Sequence, residues 1–258
     1  MEYLKIDRII KVTPTGATNP IIIKAQNNKN YLLKTRYDGI FSDKKDYSIF
    51  MEVFSYKLLE YFEFKNIPQI DYLIIDDEFI DDASFSLGDN ERDKQALTNI
   101  KNSKGVNLGV KWIENSEKST NYSNNLIEHT CNYDGYLMNS DREQDNPNIL
   151  YSATLNKNFL IDFGNAFETL FVFDDIISKE SLFKIPVYYN KFCFDNRYLF
   201  YDKISDIKKY RKKVNKDILE NIINEIPEEW QPHKYKDEII DIIYHRIGNK
   251  RIFDEKTI

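Results

Sequence analysis

The chain has 258 residues, of which 41% are hydrophobic and 30% are charged, and its formal net charge is −6. This much apolar material suffices for one sizeable core or two small lobes, and it excludes an intrinsically disordered chain. The negative balance argues against direct nucleic-acid binding, which needs a cationic surface. No apolar run is long enough to span a bilayer, and the charged N-terminus lacks the apolar core of a signal peptide, so we expect no membrane contact.

The cysteine and histidine content predicts neither a disulfide nor a metal framework. Cys131 and Cys193 are too few for a disulfide scaffold, and the three histidines are too widely spaced for a zinc pattern. We therefore expect two reduced cysteines in a cytoplasmic protein.

The first third of the chain predicts strands and one buried helix. Apolar runs at 21–23 and 31–33 flank an Asn-rich turn, which is typical of a β-hairpin. Residues 48–63 have helical periodicity and are apolar on more than one side, as a buried helix is. Further strands are predicted at 72–75 and 106–113. The acidic stretch between them, 76–103, is expected to be irregular or partly helical.

The rest of the chain is mainly helical in pattern. A Ser/Asn-rich linker is predicted at 114–125, and a helix follows at 126–138. Short strands at 149–151 and 159–161 precede helical periodicity at 207–226 and in a last helix, which contains Ile239 and Ile247. Strands first and helices later predict an α+β chain with a strand-rich N-terminal lobe, 1–114, and a helical C-terminal lobe, 115–258.

Two features of the predicted N-terminal lobe suit phosphate binding. The turn at 13–20 contains Gly16 and Thr18, and its backbone N–H groups could fold over phosphates, although an ordinary hairpin turn explains the same residues. Lys34 ends a strand, and Glu52 follows on the buried helix. Such a pair can hold the α- and β-phosphates of a nucleotide, although both residue types are most often found in water.

Two acidic motifs follow in the predicted C-terminal lobe. Asp141 lies five residues before Asn146, a spacing at which an aspartate can accept a hydroxyl proton and an asparagine can bind a metal ion. Asp162 ends a short apolar strand and precedes Phe163-Gly164, which suits Mg²⁺ that bridges phosphate oxygens. Each motif alone is weak, but their order along the chain predicts a kinase-like phosphotransferase with a two-lobed, protein-kinase-like fold.

The segment 137–167, with NSDREQDNPNIL and LIDFGNAF, resembles the HipA-like kinase family. Members carry an Asn-x-Asp-Arg-x3-Asn loop and a strand that ends in Ile-Asp-(Phe/His)-Gly. The TGATNP turn and the YLLKT, GVNLGVKWI and IPEEW segments are also similar to that family. The resemblance covers nearly the whole chain, and only 139–164 is specific.

The resemblance implies a serine/threonine protein kinase that uses ATP and Mg²⁺. Asp141 is then the catalytic base, Asp162 the main metal ligand and Asn146 a further metal ligand. Asn148 competes with Asn146, because it directly precedes the apolar pair at 149–150. We prefer Asn146 because an ungapped match places it five residues after the base.

The same resemblance implies a nucleotide site in the N-terminal lobe. Gly16 and Thr18 would lie in the phosphate turn, Lys34 would contact the phosphates, and Glu52 would orient Lys34. Trp112 and Ile113 would lie close to the adenine.

The sequence departs from the family at Glu143, where many members have histidine and most protein kinases have lysine. A carboxylate there would repel the γ-phosphate unless it points away. Two alternatives therefore stay open, namely a small-molecule kinase of the same fold and a catalytically weak nucleotide-binding module. The extra N-terminal subdomain with which toxin members contact a DNA-binding antitoxin is not recognisable, so the sequence does not support an antitoxin-type partner. The protein substrate is unknown.

Overall fold

A computed structural model of the chain describes residues 1–13, 20–37, 45–167, 170, 179–183, 190–196, 213–233 and 235–248. Its contacts divide the chain into two units. The first comprises Met1–Ile49 and Pro68–Glu114, and the second comprises Phe50–Ile67 and Asn115–Ile258. The predicted lobes were also divided after residue 114, but residues 50–67 were predicted in the N-terminal lobe and group here with the second unit.

The first unit is built on a closed barrel of five strands. Its strands follow the order β1-β2-β3-β5-β4 around the barrel, and their bounds are β1 Tyr3–Val12, β2 Ile21–Ala25, β3 Asn30–Lys34, β4 Ile70–Ile75 and β5 Gly105–Lys111. The β1–β4 pair is parallel and the other pairs are antiparallel. The predicted hairpin is confirmed as β2–β3, and its turn places Asn28 at φ 63°, a left-handed conformation that asparagine tolerates.

Helix α1, Lys45–Tyr61, confirms the helix predicted at 48–63 and continues from the first unit into the second. Its residues 50–54 are all buried, as its two-sided apolar pattern predicts.

Two helices, α2 (Asp77–Ser86) and α3 (Glu91–Lys101), occupy the stretch that was expected to be irregular or partly helical. Each begins at a side-chain cap: Asp76 accepts a hydrogen bond from the Phe79 N–H, and Asn90 accepts one from the Asp93 N–H, both at 3.0 Å. Both helices are short and mostly polar, and they bury small apolar stripes in the barrel core. Such stripes give a weak periodic signal.

The second unit contains a small sheet and most of the described helices. A three-stranded antiparallel sheet has the order β6-β7-β8, with β6 at Ser116–Lys118, β7 at Ile149–Ser152 and β8 at Lys157–Leu160. Strand β6 lies in the predicted linker, which is therefore not wholly irregular. The helices are α4 Asn124–Leu137, α5 Lys179–Leu182, α6 Lys191–Asp195, α7 Lys216–Asn224 and α8 Lys236–Gly248, with a 3-10 turn at Glu228–Trp230.

The predicted helices of this unit are largely confirmed. Helix α4 matches the prediction at 126–138, and α8 matches the last predicted helix and ends at Gly248. Helix α7 lies within the periodic run 207–226, whose first residues are outside the described part of the chain. None of the helices in the described ranges has the length and apolarity needed to cross a bilayer.

The two cysteines are paired. Cys131 in α4 and Cys193 in α6 form a disulfide with their Cα atoms 5.3 Å apart, and both residues are fully buried. The expectation of two reduced cysteines is therefore wrong for this structure. The partners are 62 positions apart in the sequence, so their spacing did not reveal that α6 packs against α4.

Candidate active site

The loop that carries Asp141 begins directly after α4. The helix ends at Leu137, and the next residue, Met138, has a φ of 49° that turns the chain out of the helical path. The Asn139 N–H donates to the Asp134 carbonyl at 2.9 Å. The Asn139 side chain then accepts a hydrogen bond from the Asp141 N–H at 3.3 Å. A buried helix end thus fixes the backbone at Asp141, while the Asp141 residue itself is partly exposed.

The two candidate metal-binding asparagines of this loop differ in their surroundings. Asn148 is buried, and its side-chain amide donates to the Asp141 carbonyl at 2.8 Å. Asn146 is exposed in a tight turn, where its backbone exchanges hydrogen bonds with Glu143 at 3.0 and 3.2 Å. Glu143 is exposed in the same turn.

Asn148 also contacts the strand that leads to Asp162. Its carbonyl accepts a hydrogen bond from the Ile161 N–H at 3.0 Å, and the next residue, Ile149, pairs with Leu160 across the β7–β8 hairpin. One residue therefore bonds to Asp141 through its side chain and to the residue before Asp162 through its main chain. This links the segments that carry the two candidate carboxylates.

Asp162 lies just after β8 in an unusual backbone conformation. Its φ is 61°, and that of Asn148 is 50°, so both residues occupy the left-handed region, in which asparagine and aspartate are enriched among non-glycine residues. Such conformations persist only where surrounding contacts determine them, and they concentrate at active sites.

Those surrounding contacts come from α1 and the Asp141 loop. The Phe163 N–H donates to Glu52 Oε2 at 2.8 Å. The Phe163 ring packs edge-on against Tyr56, one helical turn after Glu52, with centroids 5.4 Å apart. Arg142 lies over the same ring, 4.9 Å from its centroid. Phe163 thus fixes the position of Asp162 between a helix and the loop.

The electrostatics of this region keep Tyr56 protonated. Burial raises the pKa of the Tyr56 hydroxyl well above 10, and the nearby carboxylates of Glu52 and Asp162 raise it further. Tyr56 is therefore a neutral hydroxyl near two acidic groups.

A buried ion pair between α4 and the Asp141 loop stabilises the loop. Arg142 Nε donates to Asp134 Oδ2 at 2.6 Å, and neither side chain is more than 1% exposed. The guanidinium also donates to the carbonyls of Pro147 and Asn148, at 2.8 and 3.0 Å. Burial raises the pKa of Asp134, and Arg142 is the main opposing influence. The pair connects α4 to both ends of the loop.

The remaining predicted residues belong to the first unit. Lys34 is partly buried at the end of β3, opposite Leu108 of β5. Just after β5, the backbone N–H of Trp112 donates to the Asn30 carbonyl at 2.9 Å, and Ile113 is buried. Gly16 and Thr18 lie outside the described residues.

Within the second unit, the structure brings together the segments of Glu52, Asp141, Asn148 and Asp162. Sequence reasoning missed Asp134 and Asn190, which support the loop from behind. A signal for Asp134 was available, because its sequence neighbours in the predicted helix are nearly all apolar or aromatic. Such neighbours predict a buried carboxylate, and a buried carboxylate needs a partner. Asn190 precedes a helix of only five residues, which is too short for a periodic signal.

A family model described as HipA-like kinase matches residues 6–250. The chain belongs to the HipA-like kinase family. This membership makes it a phosphotransferase by family, and it confirms the resemblance seen in the Asp141 loop and the Asp162 strand. A comparison with curated proteins yields no match.

Two solved structures of the Golgi casein kinase are similar to this HipA-like kinase. The one crystallised with Mn/ADP bound is 11% identical with a TM-score of 0.50, over 98% of this chain and 74% of that chain. The other is 11% identical with a TM-score of 0.48, over 99% of this chain and 75% of that chain. At such low identity, the first likeness shows a kinase-like fold, in keeping with the mixed α and β content.

Proposed function

We propose that this HipA-like kinase uses ATP and Mg²⁺ to phosphorylate a serine or threonine hydroxyl of a protein, which could be the kinase itself. The observation that carries the proposal is the double contact of Asn148, with Asp141 through its side chain and with Ile161 through its main chain. Kinases need one carboxylate that accepts the proton of the acceptor hydroxyl and another that binds the metal, together with an asparagine that also binds the metal. The Mn/ADP bound to the Golgi casein kinase supports a nucleotide and a divalent cation here.

Asp141 is the proposed general base. Its carboxylate accepts the proton of the acceptor hydroxyl as the hydroxyl oxygen forms a bond to the γ-phosphorus and the bond from that phosphorus to the ADP oxygen breaks. The hydrogen bonds between the Asp141 backbone and the side chains of Asn139 and Asn148 fix the position of the Asp141 main chain, from which its side chain extends. Glu143 is exposed, so water and salt screen its charge. This weakens the expected repulsion between Glu143 and the γ-phosphate.

The donor set of the second unit fits Mg²⁺. No group of three or more His, Cys, Asp or Glu side chains that could hold a metal occurs among the described residues. Mg²⁺ is usually bound by one or two carboxylates together with substrate phosphates and water, so the Asp162 carboxylate and one asparagine oxygen suffice. The metal supplies positive charge that neutralises the phosphates. We assign the asparagine to Asn148 in preference to Asn146, because Asn148 is buried and bound to Asp141.

Lys34 is the proposed phosphate-binding lysine of the first unit, and Glu52 is a second support of the site. The predicted role of Glu52 is to orient Lys34. Its hydrogen bond with Phe163 supports a further role, in which α1 fixes the backbone next to Asp162.

The proposal is tested by incubating the purified protein with radiolabelled ATP and Mg²⁺, alone and with protein substrates. Asp141→Asn and Asp162→Asn should each lower label incorporation about 100-fold or more, because each removes a group used in the transfer step. Equal incorporation by all three proteins contradicts the proposal. ATP turnover only with small hydroxyl compounds would instead identify a small-molecule kinase.

A matched pair of variants distinguishes which of the two asparagines binds the metal. Asn148→Ala should raise the Mg²⁺ concentration needed for half-maximal labelling roughly tenfold or more. Asn146→Ala removes an exposed side chain from the same loop and should leave that concentration unchanged. The reverse result would assign the metal to Asn146, as the ungapped sequence match predicts.

A further inference from the structure

Asn190 connects α6 to the Asp141 loop through buried hydrogen bonds. The residue is 2% exposed. Its side-chain amide donates to Asp134 Oδ2 at 3.0 Å and to the Asn139 carbonyl at 2.9 Å. Its side-chain oxygen accepts a hydrogen bond from the Cys193 N–H at 2.8 Å, which caps the first turn of α6. Both N–H donors of this amide are therefore used, and its oxygen accepts one hydrogen bond.

The two acceptors of the Asn190 amide lie at the base of the Asp141 loop. Asn139 is two residues before Asp141 and bonds to its N–H. Asp134 binds Arg142, the residue after Asp141, and it also accepts a hydrogen bond from the Asn139 side chain at 3.0 Å. A second contact comes from α6 itself, because the Phe192 N–H donates to the Arg142 carbonyl at 3.1 Å. Helix α6 thus contacts the loop on both sides of Asp141.

Helix α6 is too short to be stable by itself, since isolated helices of fewer than about 12 residues are marginal in water. It is fixed here by the Asn190 cap at its start and by the disulfide from Cys193 to Cys131 in α4. Asn190 therefore lies between a covalently anchored element and the loop.

We propose that Asn190 is a positioning residue of the phosphoryl-transfer reaction. It orients Asp141 through Asn139 and Asp134, and it contacts neither substrate nor metal. The inference rests on the proposed role of Asp141 as the base. An error in the position of a catalytic group by about 1 Å can lower the rate about 100-fold, so the loss of both donated bonds should act mainly on the rate of transfer.

Asn190→Asp tests this role with little change of shape. Aspartate retains an oxygen that can cap α6, but it cannot donate to the Asn139 carbonyl and it places a second carboxylate against Asp134. Asn190→Ser keeps a good cap without the repulsion, and its side chain is too short to make both donated bonds. Both variants should lower kcat for ATP-dependent labelling, Asn190→Asp by about 100-fold, while KM for ATP stays within a factor of about two, because no nucleotide contact is removed.

The matched control is Asn196→Ala at the other end of α6. Asn196 is also buried, and its amide donates to the Phe192 carbonyl at 2.8 Å without contacting the loop. It should lower the melting temperature without the loss of kcat. A kcat loss in Asn196→Ala equal to that in Asn190→Ser, at similar melting temperatures, overturns the proposal.

A second measurement keeps the inference independent of activity. Amide hydrogen exchange at 139–148 should be faster in Asn190→Asp than in Asn196→Ala, because only the first loses bonds to the loop. Faster loop exchange with no change in kcat would show that the contact exists without positioning Asp141 for catalysis, and it would overturn the inference; the role of Asp141 as the base is tested separately by Asp141→Asn. Unchanged loop exchange in Asn190→Asp refutes the positioning role itself.

Discussion

The barrel core of the first unit and the residues that support the Asp141 loop in the second unit are both buried, but different interactions stabilise them. The barrel core is apolar, with Ile23, Tyr31 and Leu73 fully buried beside the stripes of α2 and α3. The loop is supported by Asp134 and Arg142, an ion pair with no more than 1% exposure, and by the amide of Asn190.

This difference determines how each region tolerates change. Apolar cores accept substitutions that keep volume, because dispersion and burial have no direction. A buried polar network specifies every donor and acceptor, and the loss of one partner leaves another uncompensated in a low dielectric. The barrel can therefore provide a stable shape, whereas the polar network fixes the orientation of a few reacting groups.

The largest expected effect is at the buried ion pair. Asp134→Asn leaves Arg142 as a buried charge without its carboxylate, and we expect it to lower the free energy of unfolding by about 3–5 kcal/mol. Urea denaturation measures the change. The control is Asp77→Asn, which breaks the exposed pair with Lys104, in which the side chains are 59% and 76% exposed, and which should cost less than about 1 kcal/mol. Equal losses would show that burial of the pair adds nothing.

The disulfide is the next largest contributor to the stability of this region. It closes a segment of 62 residues, and removal of a native disulfide typically costs about 2–4 kcal/mol. Cys131→Ser should therefore lower the urea midpoint, and dithiothreitol should lower the midpoint of the wild type but not of the variant. A wild-type midpoint that is unaffected by dithiothreitol would mean that the bond contributes no stability or does not form.

Local patterns predicted much of the fold, and contacts distant in sequence were missed. The β2–β3 hairpin, α1 and α4 were predictable because each is recorded in the periodicity of its own residues. Asp141 and Asp162 were predictable as candidates because loop and strand motifs carry them. The disulfide and the contacts of Asn190 depend on α6, which has five residues and whose Cys193 lies 62 positions after Cys131 of α4. Neither composition nor spacing reports such a contact.

The choice between Asn146 and Asn148 shows the same limit within one loop. Counting residues favours Asn146, whereas burial and the bond to Asp141 favour Asn148. A tight turn at 143–146 alters how many residues the loop needs to return to Asp141, and sequence spacing does not record that turn.

A smaller effect is expected where the barrel leaves no space for a side chain. A Cβ at Gly109 of β5 would lie 2.8 Å from the Leu73 side chain and 3.2 Å from the Tyr31 ring. Gly109→Ala should therefore overpack the barrel and cost about 1–3 kcal/mol, measured by urea denaturation. Gly105→Ala in the same strand separates steric clash from backbone strain. A Cβ there meets nothing within 4 Å, so any loss of stability comes from the φ of +107°. If the losses of stability caused by Gly109→Ala and by Leu73→Ala simply add in the double variant, the clash with Leu73 is not the cause of the Gly109→Ala loss.

The smallest expected effect is at the polar group within the barrel core. The Tyr31 hydroxyl donates to Asp71 and accepts from Asn27, both at 2.9 Å, and burial, with Asp71 as a further cause, raises the pKa of Tyr31 to about 12. Tyr31→Phe should cost about 1 kcal/mol near neutral pH, because it removes both bonds.

The pH dependence of this difference identifies its cause. Because the pKa of Tyr31 is higher in the folded protein than the ordinary value of 10, its contribution is fully present below pH 10 and declines as pH rises towards 12. The unfolding free energies of the wild type and Tyr31→Phe should therefore converge as pH rises above 10, since phenylalanine does not titrate. A difference that stays constant to pH 11.5 would mean that Tyr31 ionises as readily in the folded barrel as in the unfolded chain. In that case, the hydrogen bonds of Tyr31 would stabilise the barrel without shifting its ionisation, unlike the Asp134 carboxyl beside the Asp141 loop, whose pKa is raised by burial.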